Sequence, residues 1–274
     1  YAHQFGLEVW AVLRDFHGGI NSYDETYQVL SYTSKRTRLI DQTVAAALEL
    51  GVDGINLDFE LISTQCGEHY VQFVRELSVR CRQNGLVFSV DDYVPQPYNE
   101  HYDLEEQGAV ADYVILMGYD EHTDSSYEAG SVAYLEDGIT DALEKVPETK
   151  LIAAVPFYTR LWFETPKTED ELAAEAGTEA ASYPDKISSE ALGMDEAQEA
   201  VANAGAQVQW DDRTKQNYAE WEADGGTYKI WLEDNQSLEE KLKVIRDNQL
   251  AGVAEWRLGW ENPSVWSLIL QYIS

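Results

Sequence analysis

The sequence predicts an α/β protein of the (β/α)8 TIM-type barrel class, lacking its first two strands. Three observations carry this. Strand-like apolar runs alternate with amphipathic helical stretches, which implies parallel strands joined by crossover helices. No glycine-rich phosphate loop follows any strand, which leaves an open doubly wound sheet as the weaker alternative. Polar side chains gather at the C-terminal ends of the runs, where barrels build their sites: Asp15, Asp58 with Glu60, Asp91 with Asp92, Tyr119 with Asp120, Tyr158 with Arg160, and Trp256.

Each element has a local reason. Leu7 to Phe16 is a buried strand running into a Gly18-Gly19 loop. Lys35 to Leu50 places Leu39, Ile40, Val44, Ala47 and Leu48 at helical spacing, and Gly51 stops it. A strand follows over Gly51 to Glu60. A helix from about Glu68 to Asn84 closes on Gly85. Leu86 to Val90 forms a strand leading to Asp91, Asp92 and Tyr93, and Pro95 and Pro97 end it. Next come a strand over Tyr113 to Asp120, a helix over Tyr134 to Val146 and a strand over Leu151 to Tyr158.

From Phe163 to Leu232 the rhythm changes. An acidic, alanine-rich stretch (Thr168 to Ala181) precedes short strands at Gln207 to Trp210 and Thr227 to Leu232, with a Gly225-Gly226 turn between them. A helix over Leu238 to Asn248, a strand over Ala251 to Trp256 and a terminal helix starting near Pro263 resume the pattern. The expected division is therefore barrel over 1–162, a small α+β insertion over 163–232 before the last helix and strand, and the end of the barrel over 233–274. Six strands are two short of closure. Tyr1 to Gly6 looks like the tail of a helix, so the missing pair is expected upstream in a longer parent protein or in another piece.

Composition narrows the function. With 274 residues and 44% hydrophobic content, the chain can bury a substantial core. Lys and Arg number 19 against 50 Asp and Glu, a net charge of −31, which opposes binding to nucleic acid or anionic lipid. No run of about 18 apolar residues appears, so no membrane insertion is expected. No basic and apolar leader opens the chain. Cys66 and Cys81 are separated by a helical stretch too long for a disulfide, and Cys81 belongs to the core. The five histidines form no metal-ligand pattern, and His122 reads as loop packing. No metal and no cofactor is expected.

The chemistry concentrates in Gly51 to Glu60. Side chains alternate along a strand, so Ile55, Leu57 and Phe59 share one face while Asn56, Asp58 and Glu60 share the other. Acid and amide groups in a row with no cation between them raise one another's pKa. That cost marks a site better than a solvated edge.

The run Asp53-Gly54-Ile55-Asn56-Leu57-Asp58-Phe59-Glu60 resembles the Asp-Gly-x-x-x-Asp-x-Glu signature of glycoside hydrolase family 18, the chitinase-like enzymes. Met117-Gly118-Tyr119-Asp120 resembles that family's Met-x-Tyr-Asp strand, and Gly252 to Trp256 resembles its last strand. Tyr119-Asp120-Glu121-His122, Pro156 to Trp162 and Trp256 to Glu261 are similar to runs in the bacterial spore-cortex-lytic and spore-germination N-acetylglucosaminidases. The resemblance covers the chain from Leu7 onward and starts at the family's third barrel strand.

What the resemblance implies is a glycosidase that uses the acetamido group of its N-acetylglucosamine substrate as nucleophile. Glu60 would be the acid and then the base, with its pKa raised in part by Asp58. Asp58 would hold the acetamido N–H, Tyr119 would donate to the acetamido oxygen, and Trp256 would floor the sugar. Asn56 stands where many chitinases carry Asp; it would hydrogen-bond Asp58 without sharing its proton. Asp120, Tyr158, Arg160, Asp92 and Tyr93 are further candidates for sugar contact, although Asp120 with Arg160 serves equally well as a structural brace. Glu121 belongs with them. The implied partner is a glycan containing N-acetylglucosamine, in peptidoglycan of a spore or cell envelope, with chitin fragments and N-glycan cores as other possibilities. Two other readings compete: a chitinase-like module that binds glycan without cutting it, and a cation-binding domain built on the acidic cluster.

Overall fold

The structure, a computed structural model, describes residues 1–15, 22–122, 130–177 and 183–273. The expected Gly18-Gly19 loop and the end of the acidic stretch, 178–181, lie outside the described residues. The chain divides into two compact units, Tyr1–Met117 with Gly138–Ala153 and Gln249–Gly252, and Gly118–Asp137 with Ala154–Asn248 and Val253–Ser274.

In the first unit β1 (Trp10–Arg14), α1 (Tyr23–Leu30), α2 (Thr33–Leu50), β2 (Gly54–Asp58), α3 (Gly67–Gln83), β3 (Val87–Tyr93), α4 (Leu104–Val110) and β4 (Tyr113–Met117) follow in turn. The pairs β1–β2, β2–β3 and β3–β4 are all parallel. Gly51 closes α2 at φ 67, the left-handed conformation that glycine adopts without strain. Ser22 caps α1 and Asp103 caps α4, each accepting a main-chain N–H of the first turn. At eight and seven residues these two helices are too short to print a periodic stripe in the sequence, and the sequence reading lacks them.

The apolar face of β2 is buried as the alternation requires. Ile55, Leu57 and Phe59 are at most 2% exposed, and Phe59 stacks against Phe73 of α3 at 5.5 Å. Burial of each such side chain stabilises by roughly 1.5–3 kcal/mol, so the strand cannot turn over. Asn56, Asp58 and Glu60 are thereby fixed together on the opposite face. Cys66 and Cys81 are buried free thiols.

One expectation for this unit is corrected. β1 is not a buried strand: Val12 is 60% exposed, because β1 hydrogen-bonds only to β2 and forms an edge.

α5 (Val132–Leu143) and β5 (Leu151–Pro156) each have residues in both units. The second unit continues with β6 (Tyr158–Pro166), α6 (Glu169–Ala174), β7 (Asp185–Gly193), α7 (Met194–Ala204), β8 (Gln209–Asp211), β9 (Gln216–Ala223), β10 (Gly226–Leu232), α8 (Asn235–Asp247), β11 (Gly252–Trp256) and α9 (Val265–Ile273). The six expected barrel strands make one sheet in the order β1-β2-β3-β4-β5-β11. The additional elements make a five-stranded sheet in the order β7-β6-β10-β9-β8, antiparallel throughout.

α7 covers one face of this second sheet, where Ala197 and Val201 pack on Ala219, Ile230 and Leu232. The extra sheet begins at Tyr158, ahead of the expected position 163. β5 ends at Pro156, which has no N–H, and the N–H of Phe157 turns to the carbonyl of Trp256, so Tyr158 starts a new strand paired with Gly193. The turn before β10 also differs from the expected Gly225-Gly226. Asp224 and Gly225 hold it at φ 54 and 79, as a hairpin turn with two left-handed residues requires, while Gly226 already pairs with Ala223. Gly226 has a separate reason to be glycine: a Cβ there would stand 2.3 Å from the carbonyl oxygen of Glu164.

Candidate active site

In the first unit a polar face forms from two adjacent strands. Asn56 and Asp58 of β2 and the following Glu60 point the same way as Ser89, Asp91 and Tyr93 of β3, because Asn56 pairs with Ser89 and Leu57 with Val90. The Tyr93 hydroxyl donates to Glu60 Oε2 at 2.8 Å. From the other side Asp15 fixes the backbone at Glu60. Its Oδ1 accepts the N–H of Glu60 at 2.8 Å and its Oδ2 accepts the N–H of Leu61 at 2.9 Å.

Asn56 departs from its expected partner. Its Nδ2 donates to Ser89 Oγ at 3.0 Å and to Asp91 Oδ1 at 2.8 Å, not to Asp58. Neighbouring strands lie about 4.8 Å apart, whereas residues two apart on one strand are separated by about 6.6 Å, so the short amide reaches sideways. Asp58 Oδ1 is buried with no hydrogen-bond partner among the described residues.

The electrostatics follow from this crowding. Burial pushes the Asp58 carboxyl up to about 6, with Glu60 and Asp15 adding to the effect and Arg14 opposing it. Burial likewise pushes Asp91 up to about 7, against the Asn56 hydrogen bond and with help from Asp58, Glu60 and Asp92. The Tyr93 phenol is raised by burial and by Glu60, which keeps it a donor.

Asp92 is not part of this face. It alternates to the other side of β3, 4% exposed, where its Oδ2 accepts from Gln107 Nε2 of α4 at 2.7 Å. The cavity of about 200 Å³ that it borders is lined also by Pro95, Pro97, Tyr102, Asp141 and Lys145, and by neither Asp58 nor Glu60. The residue that sequence reasoning passed over in its favour is Asp91. Counting in twos from Ser89 to Tyr93 would have selected it.

The second unit holds the remaining candidates. Arg160 Nε and Nη2 donate to Asp120 Oδ1 at 3.0 and 2.7 Å. The Tyr158 phenol is raised by burial and by Asp120. Its ring meets Tyr119 edge-on at 6.1 Å and Trp260 edge-on at 5.7 Å. Arg257 lies over Trp260 at 4.4 Å, and Trp256 is 45% exposed. Glu121 accepts the N–H of Ser131 at 2.9 Å, a loop contact. Among the described residues no three His, Cys, Asp or Glu are placed to hold a metal ion.

Residues 17–261 match the model of the glycosyl hydrolases family 18. The chain belongs to that family. It is 26% identical over 251 residues to the cortical fragment-lytic enzyme of Bacillus subtilis, covering 88% of this chain and 54% of that enzyme. Among solved structures, the spore cortex-lytic enzyme SleL of Bacillus megaterium superposes with a TM-score of 0.84 at 21% identity, over 100% of this chain and 61% of that one. A chitinase from Chromobacterium violaceum gives 0.83 at 23% identity, over 99% and 82%. The chain thus spans little more than half the length of these Bacillus relatives, and the structural matches establish the barrel-type fold of the family.

Proposed function

We propose that this chain is a retaining glycoside hydrolase that cuts β-linked N-acetylglucosamine bonds by substrate assistance, in peptidoglycan of the spore cortex or cell wall. The observation that carries the reading is the Asp58–Glu60 pair on one strand face, with Tyr93 donating to Glu60 and Asp58 held at a raised pKa without a partner for Oδ1. Asp58 is only partly buried at the end of β2, which lets its carboxylate meet an incoming acetamido N–H. A carboxyl whose backbone and side chain are both tethered suits proton transfer to a fixed point.

In the proposed reaction the acetamido oxygen of the substrate attacks its own anomeric carbon. Glu60 protonates the departing glycosidic oxygen, and the C–O bond breaks to give a cyclic oxazolinium ion. Glu60, now ionised, takes a proton from water as the water opens that ring, and the configuration is retained. Asp58 balances the positive charge. Tyr119 and Trp256 take the roles of acetamido donor and sugar floor on the strength of the family resemblance. The peptidoglycan assignment and an envelope or spore location draw on the cortex-lytic relatives.

The test is hydrolysis of a chromogenic N-acetylglucosaminide, chitotetraose and cortex peptidoglycan by the wild type and Glu60→Gln. The variant should lose about 10²- to 10⁴-fold in kcat. Turnover that survives the substitution would remove Glu60 from its role.

A further inference from the structure

The Tyr93 hydroxyl donates to Glu60 Oε2 at 2.8 Å, and burial together with Glu60 keeps the phenol protonated. A carboxyl has two oxygens, and this bond engages one of them. Oε1 is the atom left to carry the proton that a departing sugar takes.

The Tyr93 ring is itself held. It meets Tyr102 edge-on at 5.7 Å, Tyr102 meets Tyr70 edge-on at 5.4 Å, and Tyr70 stacks on Phe59 at 6.4 Å. Phe59, Tyr70 and Tyr102 are at most 4% exposed, and close-packed rings of this kind keep one arrangement. Tyr102 also hydrogen-bonds the backbone of Ile62, and the His101 ring meets the Ile62 carbonyl at 2.7 Å. The ring contacts thus run from Phe59 through α3 and the segment between β3 and α4, and return through Tyr93 to the side chain of Glu60. The chain of contacts closes on two adjacent residues of the site strand.

We propose that Tyr93 is a positioning residue that, by occupying Oε2, selects Glu60 Oε1 as the proton-carrying oxygen and aims it at the glycosidic oxygen. The aim rests on the proposed function; the contact does not. In that step the O–H bond at Oε1 breaks as its proton joins the glycosidic oxygen. The anomeric C–O bond breaks with its electron pair going to the leaving sugar, and Glu60 is left as a carboxylate. Tyr93 gives up no proton. Its hydrogen bond strengthens as Oε2 gains negative charge, so it favours the transition state over the ground state.

The experiment compares wild type, Tyr93→Phe, Glu60→Gln and the double variant on two substrates. Chitotetraose releases a sugar, which must be protonated as it departs. A 2,4-dinitrophenyl N-acetylglucosaminide releases a phenolate that needs no proton. Tyr93→Phe should lose about 10- to 100-fold in kcat/KM on chitotetraose but no more than about 3-fold on the dinitrophenyl substrate. Added to Glu60→Gln, it should cost nothing further on either, because the group it acts through is gone.

Equal losses on the two substrates, no loss on chitotetraose, or a loss that multiplies with that of Glu60→Gln would overturn the inference. If Tyr93→Phe does not fold, Tyr102→Leu, which frees the Tyr93 ring, should show the same selective loss at smaller size, and an unselective loss there would overturn it. A wild type that cuts neither substrate would defeat the proposed function and this role with it. A wild type that cuts both, with an unselective Tyr93→Phe, would defeat the role alone.

Discussion

Replacing Asp15 by alanine tests how the acid is held. The side chain is 1% exposed and accepts three hydrogen bonds, from Glu60 N, Leu61 N and, at 3.2 Å, the Thr26 hydroxyl. Hydrogen bonds to a charged group are worth about 1.5–3 kcal/mol each. Against this, burial raises the Asp15 pKa, so its ionised form carries a desolvation cost that alanine escapes. The expected net loss is about 3 kcal/mol, with Asp15→Asn losing about half because one acceptor remains.

Freed of its clamp, the peptide at Glu60 can move. A displacement of about 1 Å at an acid is enough to lower kcat roughly 10- to 100-fold while KM changes little. Urea unfolding at pH 7 gives the first quantity, and kcat on a chromogenic N-acetylglucosaminide gives the second. An Asp15→Ala protein as stable as wild type, or one with undiminished kcat, would refute the reasoning.

Two further outcomes follow from buried charge. Lys241 and Glu233 are an ion pair at 0% and 1% side-chain exposure, so Lys241→Met should cost about 3–5 kcal/mol by stranding the carboxylate, and Lys241→Met/Glu233→Gln should recover most of it in the same urea titration. Burial raises Asp92 from 3.8 to about 7, so the folded state holds its proton longer than the unfolded chain does. Its contribution to stability is therefore complete below pH 4, falls as pH rises, and levels off above pH 7. Relative to wild type, Asp92→Asn should gain on the order of 4 kcal/mol across that window in melts from pH 4 to 8. A gap that does not change with pH would show Asp92 ionising normally.

The six barrel strands were legible because each is an apolar run flanked by a helix with a periodic stripe, as α2 shows with Ile40, Val44 and Ala47 buried and Gly51 at its end. Asp58 and Glu60 were legible because period-two alternation is forced once Ile55, Leu57 and Phe59 are buried. The extra sheet was legible only in part. β7 is exposed along most of its length and carries no apolar stripe, and the sequence reading lacks β9 and α7, although Met194, Ala197 and Val201 at helical spacing and Gly205 at its end mark α7. The Asp224-Gly225 turn was the signal for β9 that went unread.

Contacts between strands stayed hidden for a different reason. That Asn56 bonds Asp91 and not Asp58, and that Asp15 reaches Glu60, depends on register, which one strand's residues do not encode.

The most direct measurement of the central claim is proton NMR of the first product released from an N-acetylglucosamine oligomer, run beside the matching glucose oligomer. A sugar that supplies its own nucleophile must yield the β-anomer first, and the substrate without the acetamido group must stay uncut. An α-anomer appearing first, or comparable turnover of the glucose oligomer, would contradict the account.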